Sequence, residues 1–183
     1  FGSSVIAGYS AAIKLNTFTI TSITTLGNGI SNFTAQNVGA GLPDRVREGF
    51  RAGLKLAIVV CIPFFAAFFL FGRQMTLLFM DEGSVSALNT GVEFLKIVSP
   101  LYFIISIKLI ADGVLRGAGT MAQFMISTFS DLILRVGLSF LLAIPLGTTG
   151  IWLSWPIGWV LGTGLSYGFY RSGCWNPLKT KEK

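Results

Sequence analysis

Long apolar stretches, separated by connections that are alternately basic and poor in basic residues, leave this chain one solvent for most of its surface: the hydrocarbon of a bilayer. A bilayer core of about 30 Å takes roughly 20 apolar residues per helix. Stretches of that kind run near 3–33, 53–71, 94–115, 121–146 and 150–170. The first connection carries Arg45, Arg47, Arg51 and Lys55, the third Arg116, and the C-terminal end Arg171, Lys179, Lys181 and Lys183. The second sets Arg73 against Asp81 and Glu82, and the fourth, 146–149, has no charge. Basic residues stay on the cytoplasmic side of a membrane. The odd-numbered connections and the C-terminus, with a basic tail at 173–183, are therefore expected in the cytoplasm, and the chain is expected to be a multi-pass protein of the plasma membrane. The alternation also tests the count, since a missed or invented helix would put basic clusters on both sides.

Composition agrees. With 52% hydrophobic and 12% charged residues, the chain lies far from a soluble domain. Its formal charge of +6 sits at helix ends, which marks orientation and not a nucleic-acid footprint. Cys61 and Cys174 fall at different depths and are not expected to bridge. The chain has no histidine, no zinc-ligand cluster and no acid–nucleophile constellation, so neither an enzyme nor a metal or cofactor site is expected. It begins without a methionine, and Phe1-Gly2 reads as the outlet of an earlier helix, as in the C-terminal portion of something larger.

The first stretch is the least ordinary. Thr17, Thr21, Thr24, Thr25, Asn28 and Asn32 recur on one side at helical spacing, and Leu15, Phe18, Leu26, Ile30 and Phe33 on another. Such a helix has an apolar face and a hydrated or hydrogen-bonding one. Two charge pairs lie within the later stretches: Asp112 with Arg116 and Asp131 with Arg135, each four residues apart and so able to meet. Lys108 is one turn before Asp112, which could bridge Lys108 and Arg116 in an ion or gating network. A lone charge at mid-membrane costs about 2.5–3.5 kcal/mol on the insertion scale, and intramembrane ionisable groups mark pathways by default. Prolines at Pro63, Pro100, Pro145 and Pro156 invite kinks. Gly158 with Gly162, and Gly164 with Gly168, have the spacing that lets helices approach closely.

Three segments resemble one family. Gln36-Asn37-Val38-Gly39-Ala40-Gly41 followed by Arg45-Val46-Arg47-Glu48-Gly49, then Gly113-Val114-Leu115-Arg116-Gly117-Ala118-Gly119, then Gly150-Ile151-Trp152 with Pro156-Ile157-Gly158-Trp159, are similar in order and content to signatures of the multidrug and toxin extrusion (MATE) transporters. The resemblance covers nearly the whole chain. It implies an all-α transmembrane fold in which 1–172 is a five-helix remnant of the six-helix C-terminal lobe of a twelve-helix, two-lobe transporter. It implies export of cationic or amphipathic small molecules against Na+ or H+ by alternating access, with the bilayer and a missing N-terminal lobe of the same polypeptide as partners. A cation-binding acid that some branches carry about two turns before the L-R-G segment is absent here, where Ile104-Ile105-Ser106-Ile107 stands. The pathway candidates are Asn16, Thr17, Thr21, Asn28, Asn32, Gln36, Asn37, Lys108, Asp112, Arg116, Asp131 and Arg135. The alternatives are a flippase for lipid-linked oligosaccharides, which would call for a more cationic cavity, and a non-transporting membrane scaffold.

Overall fold

A chain this apolar must satisfy its backbone hydrogen bonds internally, and helices do so segment by segment. The computed structural model describes residues 2–80 and 85–176. Asp81 and Glu82, and Lys179, Lys181 and Lys183 of the basic tail, lie outside the described residues. Helix α1 spans Ser3–Gly39, α2 Pro43–Leu70, the short α3 Gly72–Leu77, α4 Val85–Val98, α5 Tyr102–Gly117 and α6 Met121–Ser172. A single 3-10 turn, Ser99–Leu101, joins α4 to α5.

Helix boundaries follow local chemistry. Pro43 opens α2, where its missing N–H costs nothing, and Asp44 in the first turn complements the helix dipole. Pro100 lies in the 3-10 turn, so the stretch read as 94–115 is a longer element broken in the middle. The ends of α1 and α5 are alike. Gly41 (φ 71°) and Gly119 (φ 76°) turn left-handed, and the next amides, Leu42 and Thr120, return to the carbonyls of Asn37 and Leu115 at 2.8 and 2.9 Å. That is the six-to-one closure of a Schellman cap.

Within α6 the backbone leaves helical geometry at Gly147 (φ 60°, ψ −134°), two residues after Pro145. The arms on either side run antiparallel, with Ser127 against Ser166, Asp131 against Gly162, and the carbonyl of Leu142 at Gly150. Helices α1 and α5 cross at glycine. Gly113 rests on the carbonyl of Gly27, and Gly27 on that of Leu109, where an added Cβ would lie 2.7 Å from the oxygen.

Buried side chains form two clusters along the bundle. One holds Ile23, Cys61, Phe94, Tyr102 and Trp159. The other, at the end where α2 begins and α6 finishes, holds Val46, Phe50, Val114, Leu115 and Trp175. Outside, the pattern is that of a membrane protein: Phe140 and Ile144 are 74% and 85% exposed, an arrangement that hydrocarbon solvates and water does not. By length and composition α2, the run Val85–Gly117 and α6 are apolar enough to cross a membrane. Helix α1 has the length, at 37 residues, but its hydroxyl and amide side chains dilute its apolar content. The fold is thus all-α and multi-pass.

Candidate functional site

Asp112 is the best-held charge in the bundle. Lys108, one turn earlier on α5, donates from Nζ to its Oδ2 at 2.7 Å. Ser166, from the second arm of α6, donates to its Oδ1 at 2.6 Å. Ser127 of the first arm contacts the Ser166 hydroxyl and donates to the carbonyl of Gly162 at 3.2 Å. Both oxygens of Asp112 are therefore taken, and Arg116 has no place in the pair. Its guanidinium instead donates to Asn28 Oδ1 at 3.0 Å and lies over the Phe124 ring at 5.4 Å. The reason is the α1–α5 crossing at Gly27, which brings Asn28 to Arg116 while Lys108 and Asp112 turn towards α6. The expected Asp112–Arg116 contact is replaced by one from each partner to a different helix.

Asp131 is set into a notch. It comes from the first arm and packs on Gly158 and Gly162 of the second. A Cβ on Gly158 would stand 2.9 Å from Asp131 Oδ1, and one on Gly162 would stand 3.0 Å from both Asp131 Cβ and Lys108 Cε. Lys108 thus lies between two carboxylates. Asp131 Oδ1 is buried and accepts no hydrogen bond. The expected Asp131–Arg135 ion pair does not form: Arg135 is turned onto the Trp155 ring, 4.6 Å from its centroid. Among the described residues the ion pairs are Lys108–Asp112 and Arg47–Asp44.

These groups border a cavity of about 390 Å³ whose walls include Tyr9, Trp155 and Trp159, with Lys108, Asp131 and Arg135 supplying charge. Its α1 side carries Asn16 and Thr17. Asn16 is fixed there by Tyr102, whose hydroxyl donates to Asn16 Oδ1 at 3.1 Å. The other polar candidates on α1 do not enter this cavity. Thr21, Asn28, Asn32 and Gln36 lie exposed along the outward face of the helix, and Asn37 is buried with its Nδ2 donating to the Phe33 carbonyl at 2.8 Å. Of the α1 candidates, Asn16 and Thr17 thus share a cavity with Asp131, whereas Thr21, Asn28, Asn32, Gln36 and Asn37 lie elsewhere on the helix.

Sequence reasoning passed over Ser127, Ser166, Tyr102 and the aromatic walls. A signal for part of this was present, because Ser127, Asp131 and Arg135 stand four apart on one arm, and Gly158, Gly162 and Ser166 four apart on the other. The two ladders face one another rung by rung, small residue against functional one. Gly164 and Gly168 share the spacing but meet nothing within 4 Å. Chemically, an aromatic-walled cavity with an unsatisfied carboxylate oxygen suits a cation with an apolar body.

Comparison with known proteins bears on this arrangement. The family model MatE matches residues 1–141. The chain is 26% identical over 180 residues to the probable multidrug resistance protein YpnP of Bacillus subtilis (strain 168), covering 98% of this chain and 40% of that protein. It is 25% identical over 174 residues to the probable multidrug resistance protein YoeA of the same organism, covering 93% of this chain and 37% of that one. The chain thus spans about two fifths of the length of these curated relatives. No solved structure matches it.

Proposed function

The chain belongs to the MatE family, and from that premise we propose that it forms the C-terminal lobe of an exporter that carries organic cations and other amphipathic molecules out of the cell in exchange for Na+ or H+. One observation carries the reading: buried Asp131 presents an unbonded oxygen beside a cavity walled by Tyr9, Trp155 and Trp159. The ring faces of an aromatic wall pack on the apolar body of a solute and attract its positive charge, and the carboxylate supplies the countercharge. The names of the two relatives, which describe multidrug resistance, support the same direction.

In this reading Asp131 meets the solute or the coupling ion, and Lys108 ties it to Asp112 so that occupancy on one side of the site is felt on the other. A second lobe of the same polypeptide rocks against this one, and the exposed Thr/Asn face of α1 lines the aqueous cleft between them. Arg45, Arg47, Arg51, Arg116 and Arg171 mark the cytoplasmic end, which sets the C-terminus inside. A flippase for pyrophosphate-linked lipids fits less well. Lys108 is already paired with Asp112 behind the wall, which leaves Arg135 against Asp131 on the cavity wall and no cationic surplus for a pyrophosphate.

The test is drug accumulation in cells expressing the full-length protein. Collapsing the ion gradient should abolish export, and Asp131→Asn should do so at normal expression. Unaltered accumulation with and without the gradient would support a non-transporting scaffold. Wild-type export by Asp131→Asn would remove that residue from the site. Sodium-free buffer against a proton uncoupler separates the two coupling ions.

A further inference from the structure

Far from Asp131, where α2 begins and α6 ends, three arginines converge on an aromatic wall. Arg47 and Arg51 come from α2 and Arg171 from the last turn of α6, and they border a pocket of about 420 Å³. The wall is a stack: Phe50 lies on Tyr170 (ring centroids 3.9 Å apart, planes at 18°), and Tyr170 on Trp175 (5.9 Å, 8°). Its outer member is placed by the chain itself. Gly173 takes a left-handed turn (φ 77°) that folds Trp175 back, and the indole N–H donates to the Tyr170 carbonyl at 2.9 Å. Trp175 and Phe50 are buried, so the wall is packed into the bundle.

Its charge is unbalanced. Asp44 takes Arg47 at 2.7 Å, but neither Arg51 nor Arg171 has an ion-pair partner among the described residues. Its depth points to the ligand. On α2 the exposed side chains change from Arg47, Arg51 and Lys55 to Leu56, Ile58, Val59 and Ile62 directly beyond the pocket, and on α6 from Val160, Leu161 and Leu165 to Arg171. That change is where hydrocarbon gives way to headgroups, the level at which Trp and Tyr rings and arginines meet lipid phosphate. Guanidinium forks bind phosphate oxygens in pairs, and the apolar surface below accepts acyl chain.

We propose that Arg47, Arg51 and Arg171, set around the Phe50–Tyr170–Trp175 stack, bind the phosphodiester headgroup of an anionic phospholipid and so tie the start of α2 to the end of α6. The inference stands apart from the transport reading, because it needs neither the central cavity nor a substrate.

The experiment is native mass spectrometry of the full-length protein in detergent, titrated with phosphatidylglycerol or phosphatidylcholine. Phosphatidylglycerol should bind preferentially. Arg51→Gln combined with Arg171→Gln should weaken it about thirtyfold, as expected for two interfacial charges. Arg45→Gln combined with Lys55→Gln, which removes the same charge outside the pocket, should leave binding unchanged. Equal loss in both double variants would reduce the effect to diffuse surface charge and overturn the proposal. So would equal binding of the two lipids, or displacement of phosphatidylglycerol by inorganic phosphate, which would mark a site for soluble anions.

Discussion

Replacing Lys108 by Met should destabilise the bundle far more than replacing its partner Asp112 by Asn. Both charges are buried, and their 2.7 Å contact is worth about 6 kcal/mol of attraction at an effective dielectric of about 20, most of it offsetting the loss of water around each ion. Removing one member of such a pair costs about 3–5 kcal/mol, because the other stays buried without compensation. The site is asymmetric. Lys108→Met strands two carboxylates, Asp112 and Asp131, the second of which already has an unbonded oxygen. Asp112→Asn strands nothing: the amide oxygen accepts from Lys108, the amide N–H donates to the Ser166 hydroxyl, and Lys108 still faces Asp131. That change should cost about 1–2 kcal/mol. At about 2–4 °C per kcal/mol for a chain of this size, unfolding of the purified protein in detergent should fall by about 6–20 °C for Lys108→Met and by about 2–8 °C for Asp112→Asn. Adding Asp112→Leu to Lys108→Met should recover part of the loss. A Lys108→Met protein that melts no lower than Asp112→Asn would refute the shared role given to Lys108.

Gly158→Ala puts a methyl 2.9 Å from Asp131 Oδ1; overpacking at about 1–3 kcal/mol outweighs the 0.5–1 kcal/mol or so gained in helix propensity, so melting should drop, whereas Gly164→Ala, facing open space, should be neutral or stabilising. Equal behaviour of the two would mean that the notch is not tight. Arg135→Ala should lose only the stack on Trp155, about 0.5–2 kcal/mol, with folding yield near normal; a loss of about 3–5 kcal/mol would show that Arg135 pairs with Asp131 after all. Ser166→Ala removes a donor to Asp112 and should cost about 1.5–3 kcal/mol, against no change for Ser139→Ala, whose exposed hydroxyl bonds only to its own helix; identical melting curves would count against the Ser166–Asp112 bond.

The sequence carried the helices and their ends more clearly than the contacts between them. Apolar runs and positive-φ glycines are local properties, so Gly41 and Gly119 could be read as stops from their neighbours alone. Partner choice is not local. Asp112 has cations four residues away in both directions, and what selects Lys108 is the crossing of α1 at Gly27, which turns Arg116 towards Asn28. Asp131 likewise offered Arg135 at helical spacing, but its surroundings are set by Gly158 and Gly162, some 30 residues on, through a reversal at Gly147 whose register a single sequence does not reveal. The polar stripe of α1 was legible as a stripe. Its direction was not, since periodicity defines a face without naming what the face meets.

That direction has an energetic consequence. Thr25, Ser22 and Ser10 donate to the carbonyls of Thr21, Phe18 and Ile6 in their own helix, so their hydroxyls are satisfied wherever the face points. Asn28 has Arg116. Thr17, Thr21 and Asn32 have no side-chain hydrogen-bond partner among the described residues and lie exposed. An amide or hydroxyl left without a partner in hydrocarbon costs about 4–8 kcal/mol on a cyclohexane scale, so these three alone would be comparable to or larger than the net stability of an ordinary domain. The perimeter is therefore divided between two solvents. Hydrocarbon suits the arc bearing Val59, Ile62, Phe140 and Ile144, whereas the α1 arc requires water or a polar protein surface. Thr17 belongs both to that arc and to the wall of the cavity that holds Asp131. In the transport reading proposed above, a solute arriving along the polar side of α1 would reach the carboxylate past Thr17 without crossing lipid.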